Sequence, residues 1–189
     1  AVYKYHMYWI VNAAERGQYE KPQPSHFPGG GSVFVLGFSN PVMSKILELS
    51  DGIKEELIKA VPILGKKISP NTFDGKPVLV TFFASWWGSC HAEFVQLRHF
   101  LNQGGINKIN IIAINWSEER FGKPSKKRLN NMVKSIHPII RVIHSNQEID
   151  KYFSPLTDVP INFIFDQQGK LIYGKGNQGY LGTDEISEI

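Results

Sequence analysis

The chain has 189 residues, of which 42% are hydrophobic and 20% are charged, and its net charge is +4. This length suits one compact core with an appendage and argues against two large domains, and the composition argues against a disordered or membrane-spanning chain. A single cysteine, Cys90, excludes an internal disulfide, so the fold must depend on its hydrophobic core.

The positive charge is spread along the chain, and only the run Lys123 to Arg128 (KPSKKR) is dense. A solvated loop leading into a helix explains this run better than a nucleic-acid patch does, so we expect no nucleic-acid partner. The first residues, "AVYKYHMYWIVNAAER", lack the basic region and the continuous apolar region of a signal peptide.

The first sixty residues predict an irregular arm followed by helix. Residues 1–32 end in a stretch rich in proline and glycine, which is typical of a linker. Apolar residues spaced by three or four predict one kinked helix or two short ones over 42–60, with a new helix start near Ser50. Residues 62–77 have the composition of a loop with turns.

From residue 77 onward, strands and helices are predicted to alternate. The predicted elements are a buried strand at 78–84, a helix at 90–103, a strand at 109–115, a helix around 125–136, a strand at 139–144, a short helix at 147–153 and a hairpin at 161–175. This order predicts a mixed sheet with helices on its faces.

Three segments carry a resemblance to a known family. They are "GKPVLVTFFASWWGSCHAEF" (75–94), "INIIAIN" (109–115) and "DVPINFIFDQQGKLIYGKGNQG" (158–179). Together they resemble the thioredoxin-like superfamily over residues 62–182. More narrowly, they are similar to its extracytoplasmic thiol-disulfide oxidoreductases, the TlpA-ResA-DsbE type that includes the cytochrome c maturation reductases.

The resemblance implies an α/β thioredoxin fold, with a mixed central sheet flanked by helices and an N-terminal helical extension. It divides the chain into an arm, linker and helix at 1–60 and a thioredoxin-like domain at 61–189. It also implies a monomer in the periplasm or another extracytoplasmic space, anchored to the membrane through a removed N-terminal segment. The implied partners are protein disulfides or dithiols and an electron-donating membrane redox protein, with no cofactor.

The resemblance also locates an active site, and the chain departs from the family there. The family's turn reads WCxxC, which places its cysteines at positions 87 and 90, but position 87 is Trp87. The first cysteine is the exposed nucleophile at a helix N-terminus, and the second attacks the mixed disulfide afterwards. With Trp87 in front of it, Cys90 has no partner, so a dithiol cycle within this chain is impossible.

The origin of Trp87 has several explanations. Cysteine and tryptophan codons differ by one base, so a mutation explains the residue. A natural change in a paralogue that kept the fold as a binding surface and an error in the determined sequence are further explanations. An engineered change would more often use serine or alanine, which are closer to cysteine in volume.

The family's pattern assigns further residues to the site. Glu93 matches the acidic residue that moves the second thiol's proton, with a surface glutamate near a helix start as the alternative. Pro160, after Val159, matches a cis-proline that faces the turn and leaves backbone groups free to pair with an extended substrate. The substrate-binding set predicted from the pattern is Trp86, Gly88, Ser89, Val159 and Pro160.

Other kinds of site lack support in the sequence. His91 after Cys90 resembles a haem-attachment pattern, but the strand-turn-helix context argues against it. No histidine spacing suits a metal, and Ser89 has no surrounding hydrolase motif.

Three functions therefore remain open. The first is a thiol-disulfide oxidoreductase acting on protein disulfides or apocytochromes, inactive here because Trp87 replaces the nucleophile. The second is a redox-inactive module that binds an extended peptide on an apolar platform of Trp86, Trp87 and Phe94. The third is one-cysteine chemistry at Cys90, such as glutathionylation or peroxide reduction, which needs a more exposed thiol.

Overall fold

The computed structural model describes residues 48–64 and 66–175, and the predicted arm and linker of residues 1–32 lie outside them. The strands of the described part are β1 (Pro62–Leu64), β2 (Val78–Phe83), β3 (Asn110–Asn115), β4 (Arg141–His144), β5 (Ile161–Phe165) and β6 (Leu171–Lys175). Its α-helices are α1 (Asp51–Lys59), α2 (Gly88–Asn102), α3 (Lys126–Ser135) and α4 (Gln147–Phe153).

These strands form one mixed sheet in the order β1-β4-β3-β2-β5-β6. Strands β2, β3 and β4 are parallel, whereas β1, β5 and β6 each pair antiparallel to a neighbour. The α/β fold with a mixed sheet, predicted from the alternating pattern, is confirmed. Since β2 and β3 end side by side, with Phe83 opposite Asn115, the loops that follow them lie together at the edge where such sheets bind ligands.

The core includes the neighbouring strands β2 and β5. Every residue of β2 and β5 is buried, which explains their nearly continuous apolar sequences. The rings of Phe82, Phe153 and Phe163 pack edge to face or tilted, with centroids 5.1 to 6.2 Å apart. These contacts join β2, α4 and β5 into one hydrophobic cluster and fix the strand that leads into the site.

Helix α1 belongs to this same core. The Ser50 side chain accepts a hydrogen bond from the Ile53 amide, as the predicted helix start requires, and Leu57 is fully buried. Gly52 lies against the Tyr152 hydroxyl of α4, where a β-carbon would approach to 2.7 Å. The predicted division at residue 60 stays untested, and we propose from this packing that the domain begins before α1.

The prediction for residues 62–77 was wrong at its start. Residues Pro62 to Leu64 form β1, an edge strand that pairs antiparallel with β4. A strand of three residues beginning with proline shows no alternation, and proline is tolerated at the first residue of an edge strand. The sheet therefore has one strand more than the sequence predicts.

Candidate functional site

The turn between β2 and α2 is the centre of the site. Trp87 is the N-cap residue of α2, and its carbonyl accepts a hydrogen bond from the Cys90 amide at 3.2 Å. An indole has a donor but no acceptor, so the Trp87 side chain does not cap the free amides of the first helical turn. Trp87 is 46% exposed. A cysteine thiolate at this position would have both solvent access and the helix N-terminus.

Cys90, by contrast, is closed off from solvent. Its exposed fraction is 0%. Burial raises the pKa of the Cys90 thiol to about 12, and the charges of Glu93 and Glu118 add to this rise, while a backbone hydrogen bond with Ala84 acts against it. A thiol in this state carries almost no thiolate at neutral pH and cannot begin an exchange reaction.

We expect iodoacetamide to alkylate Cys90 in the folded protein at least about a thousandfold more slowly than in the unfolded chain. A pKa of about 12, instead of about 8.5, lowers the thiolate fraction by that factor at neutral pH. Mass spectrometry after timed exposure, with and without urea, measures the ratio. Rapid alkylation of the folded protein would contradict the burial of Cys90 and would revive one-cysteine chemistry.

Glu93 is a buried residue of α2, so the surface alternative was wrong. Its exposed fraction is 0%. Thr81 donates its hydroxyl hydrogen to one carboxylate oxygen at 2.8 Å, and the Asn162 side-chain amide donates to the other at 2.7 Å. These bonds connect α2 to β2 and β5 behind Cys90. A role for Glu93 in moving the Cys90 proton stays a prediction.

A groove of about 220 Å³ opens beside the turn, and most of the predicted substrate-binding residues line it. They are Trp86, Ser89, Val159 and Pro160, and Trp87, predicted as a catalytic position, also lines the groove. The Val159–Pro160 peptide bond is cis. Gly88, the first residue of α2, is exposed and does not line the groove, and Cys90 and Glu93 are buried and do not line it either.

Three residues of the groove were missed from the sequence. Arg120, Phe121 and Asp158 complete its walls. The Arg120 guanidinium donates to the Asp158 carboxylate at 2.8 Å and to the Thr157 carbonyl at 2.9 Å, which joins the loop after β3 to the segment before Pro160. The only sequence signal was an aromatic residue, Phe121, in an otherwise polar loop.

The apolar platform predicted from Trp86, Trp87 and Phe94 is wrong in one member. Phe94 is buried, and its ring packs edge to face against Phe83 with centroids 5.1 Å apart. Phe121 takes its place: the Trp86 ring packs against Phe121 at 4.6 Å and against Trp87 at 5.8 Å. Phe121 is 74% exposed, so the three rings present an apolar surface to solvent.

A hydrogen-bonded network centred on the buried Glu118 holds the turn at Ser85, the residue before Trp86. The Glu118 carboxylate accepts hydrogen bonds from the Ser85 amide at 2.5 Å, the Ser85 hydroxyl at 2.7 Å and the Asn115 side chain at 2.7 Å. Arg128 donates to the Ser85 hydroxyl at 3.0 Å. Burial alone raises a carboxyl pKa, but these hydrogen bonds and the Arg128 charge outweigh it, so the pKa of Glu118 is lowered.

The Trp86 indole also ties the turn to the next loop. Its N–H donates to the Ser117 carbonyl at 2.9 Å, and Ser117 has a φ of 61°, in the left-handed region that serine seldom occupies. The Ser85–Trp87 turn and the 117–121 loop are therefore held together by indole, carboxylate and ring contacts.

Residues 48–64 and 66–175 contain neither a cluster of metal ligands nor a helix suited to a bilayer. No group of three or more His, Cys, Asp or Glu side chains is placed to hold a metal ion. In the same ranges, no helix combines the length and the hydropathy needed to cross a bilayer.

Comparison with known proteins identifies the family. The family model named Redoxin matches residues 56–185. The chain belongs to the Redoxin family. Among curated proteins, this Redoxin-family chain is 31% identical over 149 residues to the thiol-disulfide oxidoreductase ResA of Bacillus subtilis (strain 168), covering 74% of this chain and 76% of ResA.

Solved structures support the fold of this Redoxin-family chain. StoA from Bacillus subtilis is 20% identical with a TM-score of 0.54, and the match covers 68% of this chain and 92% of StoA. A secreted Mycobacterium tuberculosis disulfide oxidoreductase homologous to Escherichia coli DsbE is 15% identical with a TM-score of 0.56, covering 73% and 96%. The thioredoxin-like fold and the thiol-disulfide oxidoreductase resemblance predicted from the sequence are confirmed.

Proposed function

We propose that this chain binds extended segments of partner proteins in the groove beside Trp87 and does not exchange disulfides itself. The observation that carries the proposal is the pair of residues at positions 87 and 90. The exposed helix-start position has an indole and no thiol, and the thiol that remains is fully buried with its pKa raised to about 12. Neither position can supply a nucleophilic thiolate.

The groove supports the binding half of the proposal. An apolar wall of Trp86, Trp87 and Phe121 stands opposite the Asp158–Pro160 segment. The contacts of Arg120 with Asp158 and of Trp86 with Ser117 hold both sides in place. A preformed groove costs little conformational entropy when a ligand binds, and aromatic rings supply much of the binding energy at protein interfaces.

The partners we propose follow from the family. ResA is named a thiol-disulfide oxidoreductase, so the segments bound here come from proteins with disulfides or dithiols, including apocytochromes. A membrane redox protein as electron donor would be needed only by a form with two cysteines. We also propose a monomer outside the cytoplasm, anchored through a removed segment, and the Mycobacterium tuberculosis relative described as secreted is consistent with that location.

Changing Trp87 to alanine should weaken binding of an apolar extended peptide by about tenfold or more, because one exposed ring of the groove is lost. Fluorescence anisotropy of a labelled peptide containing tryptophan measures the affinity, with and without reductant. We expect no effect of reductant.

Val95→Ala is the matched control, since Val95 is an exposed apolar residue of α2 outside the groove. Equal affinities of the parent and Trp87→Ala forms would overturn the proposed groove. An affinity that depends on reductant would overturn the proposal that the chain does not exchange disulfides.

A further inference from the structure

A second groove lies on the other side of the turn and has a different chemistry. It has a volume of about 480 Å³ and lies between α2 and α3. Apart from Met132, its lining residues are polar or basic: His91, Ser125, Lys127, Arg128, Asn131 and Ser135. The Ser135 hydroxyl already donates to the Met132 carbonyl at 2.6 Å, so the N–H donors that face a ligand are those of Lys127, Arg128 and Asn131. No carboxylate lines it in the described part of the chain.

Positive charge in this groove exceeds the negative charge around it. The first turn of α3 contains Lys126, Lys127 and Arg128 and no acidic residue. Cations at a helix N-terminus repel one another and the helix dipole, so this arrangement costs stability. Glu118 offsets part of the Arg128 charge, with the closest charged atoms 3.5 Å apart, and no ion pair of Lys126 or Lys127 occurs among the described residues.

This second groove, called the basic groove for its Lys127 and Arg128, contacts the turn directly. The His91 ring nitrogen Nε2 contacts the Ser85 carbonyl at 3.0 Å, so Nε2 carries the hydrogen and donates. Arg128 donates from Nε to the Ser85 hydroxyl. Two of the groove's donors therefore pack on the residue that precedes Trp86.

The two grooves lie on opposite sides of the start of α2. Ser89 lines the groove beside Trp86, Trp87 and Phe121, which we call the aromatic groove, and His91 lines the basic groove. Residues two apart in a helix are about 200° apart around its axis. A ligand that reached both grooves would cross in front of Trp87 over roughly one helix diameter. That distance is about 10–12 Å, or about three to four residues of extended chain.

We propose that the basic groove binds an acidic segment of the same partner polypeptide whose apolar residue occupies the aromatic groove. This inference rests on the proposed function and adds a specificity element to it. The partner then presents an aromatic or large apolar residue separated by about four residues from a cluster of aspartate or glutamate. Carboxylates suit the site because Lys127, Arg128 and Asn131 line it with N–H donors and its net charge is positive.

The test compares two labelled peptides on the full chain at low ionic strength. One contains a tryptophan and, about four residues further along, a cluster of glutamates, and the other has glutamines in their place. We expect the glutamate peptide to bind about tenfold more tightly, and Lys127→Glu to weaken it about fivefold while leaving the glutamine peptide unchanged. Added salt should remove most of the difference between the peptides.

Lys108→Glu is the matched control, because Lys108 is an exposed lysine beyond the opposite end of α2. Equal weakening by Lys127→Glu and Lys108→Glu would overturn the inference, since the effect would then follow net charge alone. Equal affinity of the two peptides, or displacement of the glutamate peptide by a single-stranded oligonucleotide of similar affinity, would also overturn it.

Failure of this inference is distinguishable from failure of the proposed function. If both peptides bind equally and Trp87→Ala weakens both, the basic groove does not contribute to binding, and the proposed binding in the aromatic groove is retained. If neither peptide binds, the proposed function is wrong and this inference falls with it.

Discussion

Replacing Trp87 with cysteine should give the chain a disulfide reductase activity that the parent protein lacks. The new thiol would occupy the N-cap of α2, where helix amides lower a cysteine pKa from about 8.5 to about 7 in related chemistry, so about half of it would be thiolate at neutral pH. Positions 87 and 90 are three residues apart on one helix start, a separation that suits a disulfide.

Insulin reduction in the presence of a small dithiol measures this gain. Trp87→Ser is the matched control, since it removes the same ring without adding sulfur and should remain at background. The double variant Trp87→Cys with Cys90→Ser should accumulate mixed disulfides with its substrate, because the second thiol is absent. A Trp87→Cys protein no faster than Trp87→Ser would mean that the site is no longer suited to thiol exchange.

Removing the Glu118 carboxylate should lower the free energy of unfolding by about 2–4 kcal/mol, the largest stability effect that we expect from the site. Glu118→Ala leaves the Ser85 amide without its acceptor, removes one of the two acceptors of the Asn115 side-chain amide and leaves Arg128 without its counter-charge. Urea unfolding at neutral pH measures the loss.

The pH dependence of this effect has a definite sign. The pKa of Glu118 is lowered in the folded protein, so its contribution is complete above the ordinary glutamate pKa of about 4.3 and is lost as the pH falls below that value. The stability difference between the parent and Glu118→Ala should therefore shrink in acid. Glu119→Ala, at the exposed neighbouring glutamate, should change stability by less than about 0.5 kcal/mol. A similar loss from both variants would contradict the buried network.

Much of the domain could be predicted because its elements are long and periodic. The predicted helix at 90–103 differs from α2 by only a residue or two, since Phe94, Leu97 and Leu101 repeat on one buried face. The hairpin was equally clear, with two apolar runs around a turn that ends in Gly169, whose φ is 82°. In both cases the local pattern and the tertiary environment agree.

The errors concern features that depend on contacts between distant segments. β1 is three residues long and shows no period. Phe94 was assigned to the apolar platform because it lies near Cys90 in sequence. The helical period places Phe94 on the buried face of α2, and the ring that packs against Trp86 is Phe121, in the loop after β3. The bonds between Glu118 and Ser85 span 33 residues, and only the side-by-side ends of β2 and β3 bring them together.

Because Cys90 is buried, the rate at which a thiol reagent modifies it reports internal motion of the protein. Because no second cysteine is present, every molecule of thiol reagent consumed marks one opening of the segment that covers this sulfur. If openings are local, the modification rate will be nearly independent of denaturant, and if they require global unfolding, it will rise steeply with denaturant. A peptide bound across Trp87 would hold that segment shut, so partner binding could be followed as a slowing of cysteine modification.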